Sequence, residues 1–560
     1  MQIVIPMSGE GRRFVQAGYA QIKPLIEVDG QPVIEHVIDL FPGEKKFIFI
    51  CNRQHLQETA LGEILKAKVP SGQIIAIDVH KKGPVYAVAQ AFNAISDDEE
   101  VIVNYCDFAK YWDYADFLQQ VRSRQADGAL SAYRGFHPHM LADTHYAYIK
   151  ENAQWLEAIQ EKQPFTDNKM AEFASDGTYY FRQGALLKKY FQGLLEQGPD
   201  IRGEYYVSQP YNFMAKDNLK IFVYEIAHML QWGEPQHLQE YQKWSRFFHQ
   251  LMDWKPSDIP ELGQALAVVP MAGEGRRFSE RGYTDPKPMI AVSGKPMAVQ
   301  ACSCLPPQSE KVFIYQARHN AAGNLEQTLK AWEPASRFVR LEQSTQGQAE
   351  TCALGISAAD LERPLVIISC DHAMIWDSKW LRVLLADQKT DCVVFTFRGH
   401  PSSVAHPQMY GWAKIDGKGA IAQVSVKKPI SDDPAQDHAL TGAFYFRQAK
   451  FFLEAYQALQ NKNIRINNEF YVDSCVNELI AQGRFARVFE ADHYIGWGTP
   501  DDLQTFEYWQ SFFHKCAWHR YRLEGDPWMN QEKLKQYEDT FHCHSLLQRS
   551  AEHSADSAPV

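Results

Sequence analysis

Short apolar runs and amphipathic stretches alternate from the first residue onward. Residues 2–6, 46–51, 73–78 and 101–104 are rich in β-branched and aromatic side chains and bounded by turn formers, which predicts buried strands. Between them, residues 54–66 and 85–95 carry apolar positions at helical spacing. Alternation of this kind predicts an α/β chain whose sheet is mostly parallel and covered on both faces. Ligands of such sheets bind at the carboxyl ends of the strands.

The pattern then starts again. PMSGEGRRF at 6–14 returns as PMAGEGRRF at 270–278, with eight of nine positions identical at an offset of 264. The same offset relates Lys23-Pro24-Leu25-Ile26 to Lys287-Pro288-Met289-Ile290, Gly83 to Gly347 and Asp107 to Asp371. It becomes 265 for Lys162 and Lys427, Gly177 and Gly442, Glu204-Tyr205-Tyr206-Val207 and Glu469-Phe470-Tyr471-Val472, and Trp232-Gly233 and Trp497-Gly498. A period this long excludes a solenoid, whose repeats run to ~20–50 residues. It predicts two homologous domains, residues 1–250 and 264–515, joined by a linker at 251–263 that contains Pro256 and Pro260. Residues 516–560 turn polar and end in SAEHSADSAPV, which predicts a short helical appendage and a disordered tail.

Composition narrows the function classes. With 57 Lys plus Arg against 68 Asp plus Glu, the net charge of −11 argues against a general nucleic-acid binder, which needs a basic stripe. No apolar run approaches the ~20 residues that cross a bilayer, so membrane insertion is not expected. The N-terminus has no charged region before its short apolar run and reads as a strand, not a signal peptide. Ten scattered cysteines without paired CxxC motifs read as reduced thiols, and a cytoplasmic location is expected. His542-Cys543-His544 lacks the second ligand cluster of a zinc site.

Four features could carry chemistry. The loop after the first strand, Gly9-Glu10-Gly11-Arg12-Arg13, recurs as Gly273-Glu274-Gly275-Arg276-Arg277. Its glycines let backbone amides approach a phosphate, and its arginines are bidentate donors. A tight structural turn is the alternative. Asp107 and Asp371 each follow a buried strand, where a carboxylate can hold Mg²⁺ together with substrate phosphates or cap the next helix. Lys162 lies in Lys162-Gln163-Pro164, matched by Lys427-Lys428-Pro429, where a proline-fixed turn can present an ammonium to a second phosphate. The last feature is Arg202-Gly203-Glu204 and its counterpart Asn467-Asn468-Glu469, whose amide and carboxylates could bond substrate hydroxyls or simply start a helix.

In this order, twice, and over almost all of each copy, these motifs resemble the sugar-phosphate nucleotidylyltransferases, among them the glucose-1-phosphate thymidylyltransferases and the capsule-linked nucleotidyltransferases of bacteria. The resemblance implies two tandem Rossmann-like domains with mostly parallel mixed sheets. It implies attack of an acceptor phosphate oxygen on the α-phosphorus of an NTP, with pyrophosphate leaving, to make an activated precursor for surface polysaccharide. Arg13 and Arg277 would grip the triphosphate, Lys23 and Lys287 would neutralise charge at the transferring phosphorus, and Asp107 and Asp371 would hold Mg²⁺. Lys162 and Lys428 would bind the acceptor phosphate, and Glu204, Glu469 and Asn468 its hydroxyls. Gly9, Gly11, Gly83, Gly177, Gly273, Gly275, Gly347 and Gly442 would line the substrates, and Glu350 would read the base. Glu350 tilts the base towards CTP, with UTP and dTTP open. The acceptor is a phosphorylated sugar or polyol, and the oligomeric state is open.

The chain departs from the family pattern in places. The family's second metal aspartate is replaced by Leu230 and Gly496, with Asp492 a stand-in in the second copy. Copy one also has Ile22, Gln163 and Glu234 where copy two has Pro286, Lys428 and Thr499. Copy one is therefore expected to take a different acceptor or to be a regulatory nucleotide-binding module. A nucleotide-sugar-dependent glycosyltransferase is the competing enzyme class, but the DxD triplet such enzymes use is absent.

Overall fold

The computed structural model describes residues 1–141, 146–256, 259–307, 309–320 and 323–542, with side chains described up to 538. Two compact units emerge. The first comprises Met1–Arg246 and also takes in Ser511–Arg520; the second comprises Phe247–Gln510 and Tyr521–Glu538. The expected tail and the His542-Cys543-His544 candidate lie outside the residues whose side chains are described. No helix among the described residues is long and apolar enough to cross a membrane.

In the first unit the four N-terminal apolar runs form the strands Gln2–Met7, Lys46–Asn52, Gln73–Ile77 and Val101–Asn104. All six residues of Gln2–Met7 are buried, as a strand with parallel partners on both sides and cover on both faces requires. The 54–66 stretch is broken into the helices Arg53–Glu58 and Leu61–Lys68. The break falls at Thr59, whose extended backbone ends the first helix and whose hydroxyl bonds back to the His55 carbonyl.

The sheets correct the expected Rossmann-like, mostly parallel arrangement: they are mixed. Phe173–Phe181 runs antiparallel to Val101–Asn104 and to Gly128–Tyr133. Beyond it, Gly128–Tyr133, Ile221–Glu225, Trp155–Glu161 and Ala147–Asn152 follow in order, and the last pairs back to Phe173–Phe181, closing a five-stranded ring. In the second unit His438–Phe446 is likewise antiparallel to Leu365–Ile368 and Cys392–Phe397, and the hairpin Gly411–Ile415/Ile421–Val426 attaches to it. One physical reason is a tight hairpin in the first unit. Ala153 and Gln154 turn with φ of 48° and 67°, so the chain returns antiparallel without the crossover helix that a parallel partner would need.

A small two-stranded sheet in each unit positions the candidate carboxylate. Phe108–Tyr111 pairs with His228–Gln231, and His372–Ile375 pairs with His493–Gly496. These pairings bring Trp232 N to the Asp107 carbonyl at 3.0 Å and Trp497 N to the Asp371 carbonyl at 2.7 Å. Asp107 and Asp371 are thus each followed by a strand, not a helix, and the next helices are capped by Asp113 and Asp377.

Candidate functional site

The glycine loop closes onto the lysine and the lysine onto the strand-end aspartate. Gly11 and Gly275 cap the helices Arg12–Gln16 and Arg276–Glu280 with φ of 65° and 66°, a left-handed conformation that glycine adopts without strain. A Cβ added to Gly275 would lie 3.0 Å from Lys287 Cβ, so the glycine also makes room for the lysine beneath the loop. Lys23 Nζ donates to Asp107 Oδ2, and Lys287 Nζ to Asp371 Oδ2, each at 2.5 Å. Burial favours the neutral form of both partners, yet the Lys287 ammonium holds the Asp371 carboxyl below its usual range and Asp371 raises Lys287 in turn. Gly9 and Gly273 have open space around them, so their loops leave room for a ligand.

Other candidates separate into packing and polar groups. Gly83 and Gly347 are docking points: a Cβ would lie 2.7 Å from the Tyr205 backbone or 2.5 Å from Phe470 N. Gly177 and Gly442, with φ of 104° and 90°, let the strand pass Tyr105 and Ser369 closely. Asn467 and Asn468 sit in the left-handed region between the bridged residues Ile466 and Glu469, as Arg202 and Gly203 do between Ile201 and Glu204. That turn accounts for the asparagines. Glu204 and Lys162 converge: Lys162 Nζ donates to the Tyr206 hydroxyl at 2.7 Å, and that hydroxyl donates to Glu204. Burial and Glu204 raise the pKa of that phenol, and the Arg13 guanidinium opposes them weakly.

In the second unit it is Lys427, over the Tyr471 ring at 5.5 Å, that matches Lys162, while Lys428 is exposed. Glu350 accepts from the Gln346 backbone amide. Asp492 lines a cavity of about 410 Å³ with Asp377, Trp380 and Glu490, and the charges bearing on it are Asp377 and Glu490.

The MobA-like NTP transferase domain matches the sequence twice, over residues 3–170 and 267–439, more than half of the chain. The chain belongs to that family. At family level it is an NTP-transferase-type enzyme that acts on a nucleotide. Solved structures similar to it include a nucleoside-diphosphate-sugar pyrophosphorylase from Vibrio cholerae, 23% identical, covering 43% of this chain and 100% of its own, with a TM-score of 0.37. A UDP-glucose pyrophosphorylase from Acinetobacter baumanii is 17% identical, covering 45% of this chain and 93% of its own, with a TM-score of 0.34. No curated protein matches significantly.

The two NTP transferase domains differ at the end of the small sheet. In the second, Thr499 and Asp502 cap the helix Pro500–Lys515: the Thr499 hydroxyl donates to Asp502 Oδ2 at 2.7 Å, and Asp502 N donates back to it at 3.1 Å. A Cβ on Gly498 would lie 3.5 Å from Asp371 Oδ2 and 4.0 Å from Asp502 Oδ2, so the two carboxylates flank one space. Among the described residues no three His, Cys, Asp or Glu side chains gather to hold a metal. Mg²⁺ needs less, one or two carboxylates with waters and substrate phosphates, and the all-oxygen pair fits it. Asp502 was not singled out from sequence, although Thr-x-x-Asp is a helix-start signature.

The first domain has Glu234 and His237 at these positions, and Glu234 forms an ion pair with Arg13. Arg277 makes no ion pair among the described residues. Glu234→Thr is therefore expected to tighten NTP binding at the first domain by about three- to fivefold, the weight of an exposed ion pair. Titration of a fluorescent NTP analogue into chains that also carry Arg277→Ala would measure it, and an unchanged affinity would mean that the pair does not compete with the triphosphate.

Proposed function

We propose that the second domain is a nucleotidylyltransferase that joins an NTP to a phosphorylated sugar or polyol and releases pyrophosphate. The observation that carries this is the 2.5 Å contact of Lys287 and Asp371 beneath an arginine-bearing glycine loop. An acceptor phosphate oxygen attacks the α-phosphorus, the bond to the β-phosphate bridging oxygen breaks, and pyrophosphate leaves with that oxygen. The attacking oxygen is already anionic, so no general base is required. Lys287 offsets charge at the transferring phosphorus, Arg277 grips the leaving phosphates, and the Lys427-Lys428 turn with Glu469 and Tyr471 receives the acceptor. This is positioning and charge stabilisation, the main resources of such transfers. Asp371 and Asp502 would hold Mg²⁺, which would supply further neutralisation of the phosphates. CTP is the slightly favoured nucleotide, and the product is an activated precursor for surface polysaccharide.

The first domain keeps Arg13, Lys23 and Asp107 but has Gln163 in place of Lys428 and the Glu234 pair on Arg13. It takes a different acceptor or acts as a nucleotide-binding regulator. Pyrophosphate release from the full chain, assayed over a panel of NTPs and sugar or polyol phosphates, tests both statements. Asp371→Asn is expected to abolish the main activity, as is EDTA, whereas Asp107→Asn removes at most a second activity. Equal loss of one activity from both variants would overturn the asymmetry, and full activity in EDTA would overturn the metal assignment.

A further inference from the structure

Both copies hold a carboxylate at the same place but supply it from different chain positions. In the first unit Glu161 ends the strand Trp155–Glu161 opposite Ala147, and its carboxylate accepts from the Ser208 hydroxyl. In the second unit the matching strand ends in Val426 opposite Gly411, and Asp473 takes the place of Ser208 in the first turn of the helix Val472–Ala481. The Asp473 carboxylate lies directly over Gly411, where any Cβ would collide with it. Three exchanges therefore compensate one another: Glu161 to Val426, Ser208 to Asp473, and Ala147 to Gly411. The acid is kept, and loss of a methyl group on the facing strand makes room for it.

The surroundings are kept too. Glu161 bears on Lys162, Glu204 and Tyr206, and Asp473 on Lys427 and Tyr471. Both acids remain partly accessible, although burial pushes Glu161 up to about 7 and Asp473 up to about 6. A desolvated carboxylate costs stability unless something meets it, and an apolar pair would pack either position more cheaply. Retention of the group by two independent routes points to its chemistry, not to packing.

We infer that Asp473 is an acceptor-binding residue of the second domain, supplied from the helix in place of the strand-end acid that Val426 lacks, and accepting a hydrogen bond from a hydroxyl or amine of the phosphorylated acceptor whose phosphate meets Lys427. The inference rests on the nucleotidyl-transfer reading above and deepens it: the acceptor of the second domain carries a hydrogen-bond donor set back from the phosphate. The test is pyrophosphate release by the full chain, with acceptor and NTP varied in turn. Asp473→Asn is expected to raise the acceptor KM about tenfold or more, the weight of one bond to a charged group, with the NTP KM unchanged and the unfolding midpoint no lower than that of wild type. Asp473→Glu, which keeps the carboxylate, should stay within a few-fold of wild type. The triple exchange Gly411→Ala, Val426→Glu, Asp473→Ser, which installs the first copy's arrangement, should restore the acceptor KM. An acceptor KM unmoved by Asp473→Asn, or Glu as damaging as Asn, overturns this inference alone. A wild-type chain that releases no pyrophosphate with any acceptor overturns the underlying reading and this inference with it.

Discussion

Gly347→Ala is expected to destabilise the second unit by on the order of 3 kcal/mol or more, through backbone strain plus broken backbone hydrogen bonds. The added Cβ would lie 2.5 Å from Phe470 N and 2.6 Å from Phe470 O, and neither atom can rotate out of the way. Retreat of that segment would stretch the bonds from Phe470 N to the Gln346 carbonyl at 2.8 Å and from Ala349 N to the Phe470 carbonyl at 2.9 Å. A φ of 129° adds strain of its own for any residue with a Cβ. Thermal unfolding would register the loss, with Gly273→Ala as the control because nothing lies within 4 Å of its added Cβ. A midpoint for Gly347→Ala equal to that of Gly273→Ala would show that the two segments do not dock as described.

Arg277→Ala is expected to do the opposite, lowering the rate by about a hundredfold or more, as loss of one preorganised donor to a developing anion does. The side chain is exposed and makes no ion pair among the described residues, so the unfolding midpoint should stay within about a degree of wild type. Single-turnover pyrophosphate release, run beside thermal unfolding, separates the two effects. Unfolding without a specific rate defect would make the loop structural. Arg13→Ala makes an informative companion, because it frees Glu234 at the same time as it removes the donor.

Much of the site could be read from the chain because its parts are local and repeated. The left-handed Gly11 and Gly275, the lysines beneath them and the strand-end aspartates keep one offset, and the fold brings each lysine and aspartate together across 84 positions. The antiparallel hairpin of the first unit was not legible for a concrete reason, although its counterpart in the second unit carries Asp416-Gly417 and Gly419 in the turn. The turn at Ala153-Gln154 has neither the glycine nor the Asn-Gly pair that usually announces such a hairpin. Lys110 is a polar residue whose place the sequence pattern does not reveal. It is fully buried, donating to Ser131, Asp176 and Thr178 at 2.8, 2.9 and 2.7 Å, and burial lowers its pKa to about 8 against the pull of Asp176. Glu161 and Asp473 escape notice because aligning the copies sets each against an uncharged residue.

That last arrangement constrains how the gene can change. Its two halves encode segments that align residue by residue, so the outcome of an exchange between them follows from the side chains. A crossover between the codons for residues 161 and 208 that joins the first copy's strand to the second copy's helix would place two acids side by side. The reciprocal product would join Val426 to Ser208 and have none. Neither hybrid keeps the single carboxyl group that each parent has at this place, so the two copies are not interchangeable across this interval even where the rest of their sequence aligns.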